Sequence, residues 1–207
     1  STKMGLTVAA VKPNRNDSAN LGKTTSSLPA IEASYNFESG GFSAGIVIGT
    51  ESLKSESATT SVTQTATVAG GHAQMKFGAA RIALAFLSAT NANNYGMSIE
   101  GGSADATYDA TTGNLTDATS TGFGLVGGSA LSETMSIEAG YASLTNNSGV
   151  TGAKDDGTTI FYLQLPIKLA SAVSVIPELG TYDYAKDSTD AKEGSKTYAG
   201  AKWMINF

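Results

Sequence analysis

The stretch IEASYNFESGGFSAGIVI, residues 31–48, decides the fold class of this chain. Apolar side chains occupy every second position from Ile31 to Phe37 and again from Phe42 to Ile48, and a Ser-Gly-Gly triplet separates the two runs. Period-two alternation is typical of a β-strand with one apolar face, and a short glycine-containing break between two such runs is typical of a hairpin. The stretch therefore predicts two antiparallel strands joined by a tight turn.

The same alternation recurs along the chain and predicts ten strands, at 3–12, 28–38, 42–51, 65–77, 81–89, 121–129, 134–144, 158–169, 173–185 and 197–207. The connections between these strands alternate in length. Long polar connections are predicted at 13–27, 52–64, 90–120, 145–157 and 186–196, and short ones join the remaining strands. The pattern predicts an all-β, up-and-down antiparallel meander whose two ends differ.

The composition excludes several classes of protein. A chain of 207 residues with 41% hydrophobic and 15% charged residues is long enough for one substantial domain and too apolar to be disordered. Its net charge of -5 argues against a nucleic-acid partner, and the absence of Cys excludes disulfides and Cys-ligated metals. The longest apolar run, Ile82–Leu87, is far shorter than the about 20 residues that a membrane-spanning helix requires.

Two architectures use such strands: a soluble barrel or sandwich, with the apolar face inward, and a transmembrane barrel, with the apolar face outward. Three features favour the transmembrane barrel. The face opposite the apolar one is rich in Gly, Ala and Ser, and short and long connections alternate, as in outer-membrane barrels. Aromatic residues also cluster near strand ends, as interfacial girdles require: Phe37, Phe42, Phe77, Phe86, Tyr141, Phe161, Tyr184 and Phe207.

The end of the chain carries a more specific signal. In TYAGAKWMINF, residues 197–207, the side chains of Trp203, Ile205 and Phe207 alternate onto one face. This resembles the C-terminal strand of Gram-negative outer-membrane β-barrels, which ends in Phe preceded by alternating apolar residues. In that family the assembly machinery reads the terminal strand, so the resemblance implies that the same machinery is a partner of this chain.

Within that class, the Gly-rich strands, the acidic composition and the long polar loops resemble the porin family. The resemblance implies a bacterial outer-membrane location and a water-filled channel through which small hydrophilic solutes and ions diffuse passively. It also implies contact with outer-membrane lipid and lipopolysaccharide, assembly into a homotrimer, and no enzyme activity, cofactor or metal. Residues 1–207 are expected to form a single transmembrane barrel domain. Because porins have about 16–18 strands, the chain is alternatively expected to be the C-terminal part of a larger, 16-stranded barrel.

Parity along the strands selects the residues expected to line the pore: Glu32, His72, Gln74, Lys76, Arg81, Glu138, Gln164, Lys168, Glu178 and Lys202. Three of these cations, Lys76, Arg81 and Lys168, lie beside short turns and are expected at the periplasmic mouth. In trimeric porins a long extracellular loop folds inward and narrows the channel. The longest connection here is therefore the candidate constriction loop, with the acidic residues Glu100, Asp105, Asp109 and Asp117.

Several alternatives stay open at this point. Charged residues of the lumen could pair with one another and block flow, which would make the protein a non-conducting structural or adhesive barrel with loops that bind partners. An outer-membrane enzyme is disfavoured because His72 is the only histidine and its neighbours by parity, Gly70 and Gln74, are poor catalytic partners. The acidic balance predicts weak cation selectivity. Irregular pairing is expected at Pro166 and Pro177, which lack an N–H donor.

Overall fold

A computed structural model of the chain describes residues 2–14, 16–26, 28–98 and 104–205. Two residues singled out above, Glu100 and Phe207, lie outside these ranges. The elements in chain order are β1 Thr2–Val11, β2 Lys23–Thr25, β3 Ala30–Ser39, β4 Phe42–Glu56, β5 Ser61–Phe77, β6 Ala80–Thr90, α1 Ala92–Tyr95, β7 Thr107–Asp109, β8 Asn114–Thr116, β9 Thr119–Ala130, β10 Ser136–Asn147, β11 Asp156–Gln164, β12 Ile167–Ala170, β13 Val173–Lys186 and β14 Lys192–Ile205.

The long strands form one antiparallel sheet in the order β1-β3-β4-β5-β6-β9-β10-β11-β13-β14. Each long strand pairs with its neighbours in the chain, which confirms the all-β, up-and-down meander and its ten long strands. The short β2 and β12 extend β4 and β13, and β7 and β8 form a separate hairpin within the third long connection. Among the described residues, no helix is both long enough and apolar enough to cross a membrane.

The prediction of a long connection at 52–64 is wrong. β4 and β5 continue through it as paired strands, and only residues 57–60 form the turn, with the Ser57 amide donating to the Thr60 carbonyl at 2.8 Å. In this extension both faces of β4 carry polar side chains, so apolar alternation disappears although the ladder continues. The connections predicted at 145–157 and 186–196 are shorter for the same reason, at 148–155 and 187–191.

The strand predicted at 158–169 is divided into β11 and β12 at Leu165 and Pro166. Pro166 has no N–H to donate to a ladder. The surrounding backbone bonds irregularly instead, because the Leu165 amide donates to the Pro177 carbonyl and the Ser136 amide to the Pro166 carbonyl, both at 3.0 Å. The pairing also slips between Lys168 and Ala170. The expected irregularity at the prolines is thus confirmed.

Large apolar side chains are exposed over one face of the sheet, called the apolar face here. Leu6 is 72% exposed, Phe123 is 56% exposed and Trp203 is 64% exposed. A sheet in water would bury such residues, because each buried aliphatic or aromatic side chain contributes about 1.5–3 kcal/mol. The remaining members are spread over nearly every long strand: Met4, Val8, Ile31, Tyr35, Ile46, Ile48, Met75, Phe77, Ile82, Leu84, Phe86, Leu125, Ile137, Tyr141, Phe161, Leu179 and Ile205.

A line of hydroxyl residues ends the apolar face on the side of the long loops. From β4 to β14 it runs through Thr50, Thr67, Ser88, Thr121, Ser143, Thr159, Thr181 and Thr197. Within each of the four pairs of neighbouring strands the two hydroxyl residues are directly opposite each other, and from one pair to the next the line shifts by two residues toward the short turns. On average it therefore shifts by slightly less than one residue per strand. With about 3.4 Å per residue and about 4.8 Å between strands, this step corresponds to a strand tilt of about 30°, near the tilt of transmembrane barrels.

The two faces of β6 provide a direct test of whether the apolar face contacts lipid. Leu84 is in the middle of the apolar stripe of β6 and 55% exposed, whereas its neighbour Ala85 projects to the other face. We expect Leu84→Lys to lower the free energy of unfolding in lipid vesicles by about 2–4 kcal/mol, the cost of a cation in the middle of a bilayer. We expect the matched Ala85→Lys change to cost less than about 1 kcal/mol. Denaturant unfolding would measure both, and equal losses would contradict the assignment.

Candidate functional site

All ten residues that were selected by parity lie on the face opposite the apolar one, called the polar face here. Strand pairing establishes this, because directly opposed residues of neighbouring strands project to the same side of a sheet. The polar face carries Glu32, His72, Gln74, Lys76, Arg81, Glu138, Gln164, Lys168, Glu178 and Lys202. Charge of both signs is therefore gathered on one side of the sheet.

Half of these residues fall in one straight row of opposed positions, called the charged row here. The row crosses six strands through Lys76, Arg81, Gly128, Glu138, Gln164 and Glu178. Gly128 separates the two charges of an ion pair without filling the space between them, so the Arg81 guanidinium contacts the Glu138 carboxylate across β9. The sequence placed Arg81 beside a turn and did not predict that it reaches Glu138.

Glu138 is the centre of a hydrogen-bond network on this row. Its Oε1 atom accepts hydrogen bonds from the Tyr162 hydroxyl and from Nε2 of Gln164, both at 2.7 Å. Arg81 also donates to Oε1 of Gln74 at 3.3 Å. The network holds the Glu138 carboxylate and the Arg81 guanidinium close to the polar face, because each of these charged groups has hydrogen-bond partners on neighbouring strands.

Glycines make room for tyrosine rings that lie flat on the polar face. A Cβ atom on Gly140 would come within 2.1 Å of the Tyr162 ring, and one on Gly180 would come within 2.6 Å of the Tyr198 ring. Each tyrosine is directly opposite its glycine in the ladder. The Tyr198 hydroxyl donates to Glu178 at 2.7 Å, just as Tyr162 donates to Glu138.

The first and third long connections fold onto the polar face at its long-loop end. Asn91 and Asn94 are fully buried there; the Asn91 amide group donates to the Thr65 carbonyl at 2.8 Å, and the Asn94 amide group donates to the Asn16 carbonyl at 3.0 Å. Ala92 and Ala104 of the third connection pack on Ala89 of β6, together with Val68 and Met97. These contacts hold the third connection against the polar face; its role as a constriction loop stays a prediction.

Tyr95, at the end of α1, joins the third connection to strand β3 on the polar face. Its hydroxyl donates to Glu32 at 2.9 Å and lies over Gly49, where a Cβ atom would come within 2.1 Å of the hydroxyl oxygen. Burial, followed by the hydrogen bond to the Glu32 carboxylate, raises the pKa of Tyr95 above its usual value. The hydroxyl is therefore protonated and able to donate at neutral pH.

The acidic candidates of the constriction loop have separate structural roles. Asp105 accepts hydrogen bonds from the side chains of Asn16 at 3.1 Å and Asn93 at 3.3 Å, and Asp117 accepts one from Asn91 at 2.7 Å. Asp109 is at the tip of the β7–β8 hairpin and caps its turn. Within the described part of the third connection, Tyr95 contacts a charged residue of the polar face, Glu32. Tyr95 was not selected from the sequence.

Three lysines of the polar face differ from its carboxylates. Glu32, Glu138 and Glu178 each accept a hydrogen bond from a tyrosine hydroxyl. Within the described part of the chain, no carboxylate forms an ion pair with the ammonium group of Lys76, Lys168 or Lys202. In the same residues no group of three His, Asp or Glu side chains is arranged to hold a metal ion.

The sequence carried a signal for two of the tyrosine contacts. Glu-Ala-Gly at 138–140 and Glu-Leu-Gly at 178–180 have the same spacing, and in each case the following strand of the sheet places a tyrosine opposite the glycine. A search for Glu-x-Gly with a polar-face tyrosine on the next strand would have found both. No such signal marked Tyr95, because its contact with Glu32 joins residues far apart in the chain.

Comparison with solved structures identifies the fold. The outer membrane channel DcaP of Acinetobacter baumannii matches 97% of this chain at 13% identity with a TM-score of 0.70, and the match covers 59% of that channel. The anion-selective porin from Comamonas acidovorans matches 99% of this chain at 12% identity with a TM-score of 0.57, and 52% of that porin is covered. OmpT, an outer membrane protein of Vibrio cholerae, matches 97% at 16% identity with a TM-score of 0.53 and 61% coverage.

The chain has the fold of Gram-negative outer-membrane β-barrel porins, a fold found in proteins of the bacterial outer membrane. It spans about three fifths of the DcaP channel and about half of the Comamonas porin. No protein-family model matches the chain, and no curated protein sequence matches it significantly.

The glycine beneath Tyr162 allows a matched test of the wall. We expect Gly140→Ala to displace the ring and break its hydrogen bond to Glu138, with a loss of about 1–2 kcal/mol in the free energy of unfolding. Gly200→Ala on the same face is the control, because a Cβ atom there meets nothing within 4 Å. Denaturant unfolding would compare the two, and equal stabilities would show that the ring does not need the glycine.

Acid should loosen the first connection through Asp17. Burial acts to raise the pKa of Asp17, but hydrogen bonds from Thr24, from Ser55 and from the amides of Asn20 and Ala19 outweigh it and lower this pKa below its usual value. The resulting stabilisation is complete above the unfolded pKa of about 3.9 and is lost as the pH falls through the lower folded pKa.

We expect hydrogen exchange at Ala19 and Asn20, corrected for intrinsic rates, to accelerate below about pH 4 in the native protein. In Asp17→Asn this pH dependence should be absent. Asp109→Asn, in the separate hairpin, is the control and should keep the native profile. A native pH profile in Asp17→Asn would exclude Asp17 as the cause.

Proposed function

We propose that this chain forms the wall of a water-filled channel in the bacterial outer membrane, through which small hydrophilic solutes and ions diffuse passively. The observation that carries this proposal is the division of one sheet into two faces. One face exposes large apolar side chains up to a tilted line of hydroxyl residues, and the other carries charges of both signs. In transmembrane barrels the apolar face meets lipid and the polar face surrounds the lumen.

The polar face has the properties that a conducting wall requires. Its charged groups keep a solute path hydrated, so entry of an ion costs less than in an apolar pore. The glycines under Tyr162 and Tyr198 let these rings lie against the wall rather than across the lumen. We assign the pore-lining role to the ten predicted polar-face residues, with Tyr95, Tyr162 and Tyr198 as additional members. Arg81 and Glu138 neutralise each other on the wall.

The strand number supports a larger assembly. β1 and β14 pair with β3 and β13, and within the described residues they do not pair with each other. The channel and porin neighbours are also longer than this chain. We propose that residues 1–207 are part of a larger barrel, of about 16 strands, and that the complete barrel functions as a homotrimer in contact with lipopolysaccharide.

The exposed apolar stripe of β14 supports a proposed interaction with the barrel-assembly machinery. Trp203 and Ile205 project to the apolar face at the short-turn end. We propose no catalytic role for the polar face. His72 lies against Asn36 and Gly45, and among the described residues no hydrogen bond joins it to a carboxylate or hydroxyl that could complete a catalytic set.

One observation favours a second candidate, a non-conducting structural or adhesive barrel. The first and third connections pack on the long-loop end of the polar face at β4, β5 and β6, and Asn91 and Asn94 of the third connection are fully buried there. If they also close the lumen of the complete barrel, the exposed loops become the functional surface.

Planar-bilayer recordings on the native, detergent-extracted protein, with its intact mass measured on the same sample, distinguish the two candidates. We expect discrete open steps, grouped in threes for a trimer. We also expect Lys202→Glu, on the polar face, to move the reversal potential in a salt gradient toward cations. Lys54→Glu changes the same charge on the opposite face and should leave the potential unchanged. Correct insertion without conductance would overturn the channel and favour the structural barrel.

A further inference from the structure

Aromatic rings follow one another along β13 on the polar face. Tyr184 and Tyr182 project from β13 to this face, and their ring centroids are 6.3 Å apart with an interplanar angle of 14°. The ring centroid of Tyr198, from β14, is 5.8 Å from that of Tyr182. The Tyr198 ring lies over Gly180, where a Cβ atom would come within 2.6 Å of it. Three rings therefore occupy successive polar-face positions of β13, and they are called the aromatic track here.

The aromatic track leads from the long-loop side of the polar face to the charged row. Tyr184 is its first ring, and Tyr198 ends beside Glu178, to which its hydroxyl donates at 2.7 Å. The three tyrosines are half-buried. Because Gly180 lies under the Tyr198 ring, the exposed part of this side chain is directed away from the sheet. A solute that moves along β13 over the polar face therefore meets the rings in turn.

A row of aromatic rings offers a contact that hydrated charges do not. The face of an aromatic ring carries partial negative charge and is apolar. The C–H groups on the face of a sugar ring carry a small positive charge, so the two faces attract each other and exclude water. The spacing of the rings in the aromatic track is close to the length of one unit in a sugar chain. The track therefore fits a linear oligosaccharide.

Polar groups of two kinds flank the aromatic track. Lys196 is directly opposite Tyr182 on β14, is exposed, and forms no ion pair with any residue that the structure describes. The Glu178 carboxylate lies at the other end of the track. An ammonium group only donates hydrogen bonds and a carboxylate only accepts them, whereas a sugar hydroxyl does both. The two side chains therefore complement the hydroxyl groups at the edge of a sugar ring.

The same flanking charges disfavour ionic solutes. Aromatic faces also attract organic cations, but Lys196 beside Tyr182, together with Lys202 on the same face of β14, repels a cation. A carboxylate solute would meet the Glu178 carboxylate at the end of the track. A neutral solute with C–H faces and hydroxyl edges meets neither repulsion.

We propose that the aromatic track binds a linear neutral oligosaccharide, with its sugar rings stacked on Tyr184, Tyr182 and Tyr198. Hydroxyl groups at the ring edges bond to Lys196 and Glu178. A chain of β-linked glucose suits the track best, because its ring hydroxyls are all equatorial and leave only C–H groups on both faces. This inference names a solute class for the proposed channel and rests on that function for the route of the sugar.

Binding is measured without any need for conduction. The native protein is labelled with fluorinated tyrosine, held in a detergent that has no sugar head group, and titrated with cellotriose by fluorine NMR. Tyr182 and Tyr184 report the aromatic track, whereas Tyr35 and Tyr141 on the apolar face report non-specific effects. We expect saturable shifts at the track alone. Sorbitol, which has hydroxyls but no ring, and tetramethylammonium, a cation without hydroxyls, should bind at least about tenfold more weakly.

Variants separate the ring from the polar groups. We expect Tyr182→Leu to weaken cellotriose binding about fivefold, as for loss of one stacked ring, and Tyr182→Phe to bind within about twofold of the native protein. Tyr141→Leu makes the same change on the apolar face and should leave binding unchanged. Glu178→Gln should weaken binding severalfold through loss of a charged acceptor. Tyr184→Leu repeats the test if Tyr182→Leu does not fold by far-UV circular dichroism.

Three results would overturn the proposal. One is equal binding of sorbitol and cellotriose, which would mean that hydroxyl contacts act without the rings. Another is tighter binding of tetramethylammonium than of cellotriose, which would make the track a cation site. The last is native affinity in a folded leucine variant of the track. Binding without conductance would contradict the channel and leave the track intact, whereas conductance without binding would contradict the track and leave the channel intact.

Discussion

Hydrogen bonding between neighbouring strands is the constraint on which the rest of this structure depends. A backbone that faces hydrocarbon has no water to bond, so each N–H and C=O must find a partner in the next strand. The long strands meet this requirement with extended ladders, which are interrupted between β11 and β12 at Pro166 and which continue in β4 and β5 up to the turn at 57–60. Once the ladders are set, period two assigns every side chain to one face or the other, and the tilt of the strands determines where the apolar face ends.

On the polar face, glycine lets charged side chains and tyrosine rings lie close to the backbone instead of projecting away from the sheet. Glycine at positions 128, 140 and 180 removes the side chain where a neighbouring residue has to cross or lie flat. Arg81 reaches Glu138 across the first of these, and the rings of Tyr162 and Tyr198 occupy the other two. The abundance of glycine is therefore a property of the wall as a whole: small residues there bring distant polar groups into contact.

The connections add a second layer on the polar face. Asn91 and Asn94 satisfy backbone groups of the strands and of the first connection, and Tyr95 extends the layer to Glu32. Beside this layer, strands β6, β9, β10 and β11 line an open recess of the polar face with apolar and small residues: Ala85, Leu87, Gly122, Gly124, Ala142, Leu144 and Ile160. The polar face therefore has a charged region at the charged row and an apolar region beside the folded connections.

The sequence by itself determined the all-β meander, its ten long strands, the two unlike faces and the shared side of the ten polar residues. Each of these follows from period two, which is a local property of the chain. Strand ends beyond the apolar belt were underestimated, as at 52–64, because the ladder continues where apolar alternation stops. Only the tertiary structure decided that Arg81 contacts Glu138, that Tyr95 contacts Glu32 and that Asn91 of the third connection contacts Thr65 of β5. These contacts join residues of different strands and loops, so their distances depend on register, tilt and the path of the connections rather than on spacing along the chain.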